Sequence, residues 1–122
     1  MEIHESAEDY LEKILMLNNK YGQVRSIDIV NDLGYSKPSI SVAMKKLREN
    51  GYIHMDAGNN IELTDIGMKI AKRIYTRHQT LTKLLVKIGV SQRTAEKDAC
   101  KIEHDLSDET FRKIQAFLKN MD

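Results

Sequence analysis

Apolar and polar positions along this chain follow two periods. From residue 7 to residue 21, Ala7, Tyr10, Leu11, Ile14, Leu17 and Tyr21 recur at the spacing of one helix face. Ser6 precedes the run as an N-cap and Gly22 follows it as a stop. A second, short helix is expected over IDIVNDL, opened by Ser26 and ended by Gly34. A third is expected over KPSISVAMKKLREN, capped by Ser36, with Pro38 in the first turn, where no N–H is needed. Ile40, Met44 and Leu47 mark its buried face, and Gly51 closes it.

The period then drops to two. Ile53 and Met55 alternate with polar residues, as do Ile61 and Leu63, and Gly58-Asn59-Asn60 between them is turn chemistry. This is a small β-hairpin. Thr64 caps a long helix to about Ile88, with Ile66, Ile70, Ile74, Leu81, Leu85 and Ile88 along one stripe. Ser91 caps a fifth helix reaching about His104, and Ser107 caps a sixth. The stripe of the sixth is Phe111, Ile114, Phe117, Leu118 and Met121. A short helix, a glycine turn, a basic helix and a hairpin make a winged helix–turn–helix. The expected fold is therefore mainly α, an N-terminal winged helix–turn–helix with an all-helical module after it.

Composition narrows the class. The 122 residues are 41% hydrophobic and 30% charged, ordinary for a globular chain. No apolar run approaches the ~20 residues of a membrane span. The acidic start, MEIHESAEDY, is not a signal peptide. One cysteine fits a reducing cytoplasm, which is the expected location.

The net charge of +1 conceals segregation. Glu2, Glu5, Glu8, Asp9 and Glu12 open the chain without a Lys or Arg. Lys37, Lys45, Lys46 and Arg48 follow without an acid, as do Lys69, Lys72, Arg73, Arg77, Lys83 and Lys87. Acid returns at Glu96, Asp98, Glu103, Asp105, Asp108 and Glu109. A basic middle between acidic ends points to a polyanion and a cation as partners. Taken singly, each cluster reads as a solvated helix face.

The third helix is the natural DNA reader. Ser36, Lys37, Pro38, Ser39, Ser41, Val42, Lys45 and Lys46 occupy its start and outer face. Serines can bond base edges or phosphates, Val42 can touch a thymine methyl, and the lysines can neutralise phosphates. The wing tip is a candidate backbone contact.

The second constellation lies in DACKIEH. In a helix, Cys100, Glu103 and His104 fall at i, i+3 and i+4 and share a face. Asp9 and Glu12 stand at i, i+3 on the first helix, away from its apolar stripe. His78 falls on the apolar stripe of the fourth helix and must find a partner. Singly, these residues read as a small buried thiol, a solvated acidic face and a core histidine. Together they are six candidate metal ligands on three helices.

The chain resembles the diphtheria-toxin-repressor family of metal-dependent transcriptional regulators, especially its shorter manganese-transport-regulator branch. The resemblance rests on EDYLEKI at 8–14, SKPSIS at 36–41, LTDIG at 63–67, RH at 77–78 and DACKIEHDLSDE at 98–109. It implies a DNA-binding domain over residues 1–72 and a helical metal-binding and dimerisation domain over residues 73–122. It implies a homodimer that binds a palindromic double-stranded DNA operator, as a repressor, when loaded with Fe²⁺ or Mn²⁺. It implies that Asp9, Glu12, His78, Cys100, Glu103 and His104 form the metal site. Cysteine at 100 is the iron branch's residue and Asp9 is closer to the manganese branch. Co²⁺ and Zn²⁺ are secondary candidates, since a thiolate is soft. Thr82 and Glu96 replace the glutamate and histidine of the iron branch's second site. Phe111, Ile114, Leu118 and Met121 are the expected dimer surface, with intrachain packing the equal alternative.

Two rivals stand beside this reading. One is a winged-helix regulator with no metal input. The other is an enzyme built on a Cys100–His104 dyad, disfavoured because no third orienting group and no Gly-rich phosphate loop accompany it. No enzymatic activity, membrane partner or small-molecule substrate is expected.

Overall fold

A computed structural model describes residues 5–121. Its order is α1 (Glu5–Tyr21), α2 (Ser26–Leu33), α3 (Lys37–Glu49), β1 (Ile53–Met55), β2 (Ile61–Leu63), α4 (Asp65–Lys87), α5 (Gln92–Ile102) and α6 (Asp108–Met121). The chain divides into two compact units, one ending at Lys72 and the other beginning at Arg73, so the division falls inside α4.

In the first unit, α1 packs on α2 and β2, and α3 packs on α2 and β1. Leu11, Ile14, Val24, Ile29 and Ile40 are fully buried and form its core with Met44, Leu47, Ile53 and Ile61. The helix ends follow local chemistry. The chain is already helical at Glu5, so Ser6 lies inside α1 instead of capping it. Gly22 ends α1 at φ 84°, and Gly34 ends α2 at φ 74° with its N–H bonded to the Val30 carbonyl at 2.9 Å. Arg25, not Ser26, is the N-cap of α2, and its backbone N–H donates to Asp28 Oδ2 at 2.8 Å. Ser36 caps α3, its Oγ accepting from the Ser39 N–H at 3.3 Å.

The wing is an antiparallel pair in the register Ile53↔Leu63, His54↔Glu62, Met55↔Ile61. Its outer side is extended by a bridge between Arg25 and Asn60, and the Ile61 N–H donates to the Val24 carbonyl at 2.7 Å. Asp56 organises the tip: Oδ1 accepts from the N–H groups of Gly58 at 2.8 Å and Asn60 at 3.0 Å. The Asn60 amide donates to Oδ2 at 3.2 Å. These Asn60 bonds hold the Asp56 carboxyl below its ordinary range, with smaller help from Gly58 and His54.

The LTDIG segment fastens the wing to α4. Thr64 Oγ1 donates to the Gly51 carbonyl at 2.6 Å and accepts from the Gly67 N–H at 3.2 Å. The Thr64 N–H donates to the Tyr52 carbonyl at 3.1 Å. A Cβ at Gly67 would lie 2.0 Å from that same carbonyl oxygen, so only glycine permits the approach.

In the second unit, Ile74, Leu81, Ala95, Ala99 and Leu118 are buried. Ser91 caps α5, accepting from the Thr94 N–H at 3.4 Å, and Ser107 precedes α6, accepting from the Thr110 N–H at 3.1 Å. The α4 stripe is shorter than the periodicity implies: Ile66 is 60% and Ile88 68% exposed.

Candidate metal centre and nucleic-acid interface

His78 stands in α4 between the buried Ile74 and Leu81, so its ring starts from an apolar surface. Its Nδ1 lies 3.0 Å from Glu103 Oε2. Glu103 is fully buried. The other oxygen, Oε1, is 3.5 Å from His104 Nε2 and has no hydrogen-bond partner among the described residues. The His104 side chain is itself only 2% exposed. The Cys100 Sγ lies within 4.8 Å of a Glu103 carboxylate oxygen, although Cys100 is exposed as a residue. It is thus not the small buried hydrophobe of the single-residue reading.

The second unit therefore gathers His78, Cys100 and His104 around the Glu103 carboxylate. Burying a charge that keeps an unsatisfied oxygen is costly unless an ion or a proton meets it. Two imidazoles, a carboxylate and a thiol are the donor types that hold a divalent transition metal, so these residues fit one. Asp9 and Glu12 belong to the first unit, where Asp9 is half-buried and Glu12 is 6% exposed. Beside Asp9, burial, then Tyr35, then Asp9 itself push the Tyr10 phenol above its ordinary value.

Helix α5 stops at Ile102 and Glu103 is its C-cap, so His104 lies in the following turn. The turn after α5 is bound by Arg77, which is 5% exposed. Its Nη1 donates to the carbonyls of Glu103 at 3.1 Å and Leu106 at 2.6 Å, and Nη2 to Asp108 Oδ1 at 2.5 Å. The Arg77 guanidinium also lies 5.2 Å from the Phe111 ring centroid. Charge patterning places Arg77 in a basic run facing a polyanion, and its burial removes it from that role. The overlooked signal is its spacing: Ile70, Ile74, Arg77 and Leu81 share a stripe.

Thr82, 8% exposed, donates its hydroxyl to the His78 carbonyl at 2.7 Å. Glu96 is exposed and accepts from Gln92 Nε2 at 3.0 Å. Neither residue resembles a ligand of a second metal.

The residues expected to face DNA, Ser36, Lys37, Pro38, Ser39, Ser41, Val42, Lys45 and Lys46, are all exposed, Val42 at 55%. Ser36 Oγ donates to Ser39 Oγ at 2.9 Å, so the Ser39 hydroxyl keeps a proton to donate outward. Lys45 has only a 4.0 Å pairing with exposed Glu49. Tyr35, just before the cap, is 55% exposed and meets Tyr10 edge-on with centroids 6.4 Å apart.

Of the four residues expected at a dimer surface, Leu118 is already buried within the single chain, and Phe111 and Ile114 are half-buried. Met121 is 52% exposed, and Phe117 and Ile88, outside that expectation, are 57% and 68% exposed.

Comparison with known proteins places these units in a context. Residues 2–58 match the N-terminal DNA binding domain of iron dependent repressors, and residues 64–122 match their metal binding and dimerisation domain. The chain is 32% identical over 117 residues to an uncharacterised HTH-type transcriptional regulator of Methanocaldococcus jannaschii, covering 94% of each. It is 35% identical over 113 residues to the transcriptional regulator MntR of Salmonella typhimurium, covering 93% of this chain and 72% of that one. A solved manganese-dependent transcriptional repressor in complex with manganese matches with a TM-score of 0.83 and 30% identity. That match covers 93% of this chain and 52% of the other, so this chain spans about half its length.

Proposed function

The chain belongs to the iron-dependent repressor family, and from that premise we propose that it is a transcriptional repressor activated by Fe²⁺ or Mn²⁺. The observation that carries the metal reading is Glu103, a fully buried carboxylate set between two imidazoles with one oxygen unsatisfied. The proposed ligands are Asp9, Glu12, His78, Cys100, Glu103 and His104. A bound divalent ion supplies the positive charge that offsets the mutual repulsion of three carboxylates. The hard oxygens of Asp9, Glu12 and Glu103 suit Mn²⁺ and Fe²⁺ alike, whereas the Cys100 thiolate leans toward Fe²⁺, with Co²⁺ or Zn²⁺ as substitutes.

The residues themselves transmit the signal in this proposal. A metal held by Asp9 and Glu12 of α1 as well as by ligands of the second unit would couple the DNA-binding unit to metal binding. The protein acts as a homodimer, associating through exposed Ile88, Phe117 and Met121 with half-buried Phe111 and Ile114. Holding the two units at one angle sets the separation of the two α3 helices. That separation matches a palindromic operator whose half-sites lie about one helical turn apart, or a multiple. Ser36, Ser39, Ser41 and Val42 meet base edges or phosphates, and Lys37, Lys45 and Lys46 meet phosphates.

The test is binding to duplexes selected from a random pool with Mn²⁺ present. Under anaerobic conditions, Mn²⁺ or Fe²⁺ should raise affinity by about 5–150-fold over chelator. Equal affinity with chelator and with both metals would leave a winged-helix regulator without metal input.

A further inference from the structure

The proposed ligands do not explain why a full guanidinium is buried one residue before His78. Among the described residues, Arg77 forms no hydrogen bond or ion pair with their side chains. Its Nη1 instead binds the backbone carbonyls of Glu103 and Leu106, and its Nη2 binds Asp108 at the start of α6. Burying a guanidinium is expensive, and a backbone turn can be closed by cheaper means such as a glycine. Two successive residues of α4 thus hold residue 103 from opposite ends: Arg77 by its carbonyl and His78 by its carboxylate.

We infer that Arg77 is a positioning residue for the metal site, fixing the turn on which Glu103 and His104 stand. This rests on the reading of the metal site given above. The turn from Glu103 to Asp105 lies outside any helix, and within it the Asp105 N–H bonds the Ile102 carbonyl at 3.0 Å. Without Arg77 the Glu103 and Leu106 carbonyls lose their bonded donor, and the carboxylate and imidazole are no longer held before an ion arrives. Groups that orient ligands in this way commonly change metal affinity by about 10–100-fold when removed. Phe111 shields the guanidinium from above, and Asp108, exposed at 76% of its side chain, anchors its outer edge. Arg77 thereby also links α6 to the metal ligands.

The decisive measurement is Mn²⁺ affinity, read from the free-ion signal by electron paramagnetic resonance, on full-length Arg77→Lys and Asp108→Asn proteins. Thermal melts in chelator run alongside, and affinity is taken well below the melt, where each protein is folded. A purely structural role would lower the melting temperature and leave affinity untouched. A positioning role lowers affinity at least about tenfold in Arg77→Lys and by a smaller factor in Asp108→Asn. Wild-type affinity in folded Arg77→Lys overturns the inference; if that protein does not fold, wild-type affinity in Asp108→Asn overturns it. Wild-type protein that takes up neither Mn²⁺ nor Fe²⁺ refutes the metal site itself, and the inference with it.

Discussion

Glu103 illustrates how a side chain that is costly for stability can serve the function proposed for it. Its carboxylate is fully buried, with Oε2 on His78 and Oε1 short of a hydrogen bond to His104. A glutamine of the same shape keeps the His78 bond through its oxygen and offers an N–H toward His104 Nε2. Glu103→Gln is therefore expected to stabilise the metal-free protein by about 1–3 kcal/mol, the usual cost of a buried unsatisfied group. It should also remove metal-stimulated DNA binding. Urea unfolding in chelator and operator titration with Mn²⁺ check the two halves, and a destabilised variant would refute the first. His78→Ala makes the complementary case: metal response is lost while residual DNA binding and the fold survive, as circular dichroism and salt-dependent binding would record.

At the level of elements, most starts and stops are written in short-range chemistry. Gly22, Gly34, Ser36, Ser91 and Ser107 mark their boundaries because a left-handed φ or a capping hydroxyl is a local requirement. The anchoring of the turn after α5 is not local. It comes from a guanidinium 26 residues before Glu103, and no window around DACKIEH contains that information. The wing's extra partner at Val24 and Arg25 was hidden for the same reason, since one bridge leaves no periodic trace. The candidate site was legible as a set of residue types, but the burial of Glu103 and the exposure of Cys100 were not. If α3 meets DNA through its exposed face, Lys45→Ala should weaken binding to any duplex and reduce the slope of log affinity against log salt by ~1; an unchanged slope would clear Lys45 of a phosphate contact. In the wing, folding lowers the proton affinity of Asp56, so its contribution to wing order is present above the ordinary carboxylate range. It is lost as pH falls through the lower folded value. Amide signals of Gly58 and Asn60 followed by NMR should shift together in that acidic window, below where an unstructured aspartate titrates.

The whole molecule adds a geometric demand that no single element expresses. If two copies read two half-sites, the phase of the DNA helix between them matters as much as their sequence. Inserting ~5 bp, half a turn, between the half-sites should abolish metal-stimulated binding, whereas ~10 bp should restore part of it. Gel-shift titrations with the three spacings decide this, and indifference to phase would argue for independent subunits. The DNA-binding unit also has a definite edge. It does not stop at the final residue of β2 but continues into α4 as far as Lys72, and at the junction Thr64 grips Gly51 and Gly67 lies against the Tyr52 carbonyl. Anyone transplanting this reader onto another scaffold must carry the chain past Gly67. A cut after Leu63, tidy on a topology diagram, would strip the hairpin of its foundation.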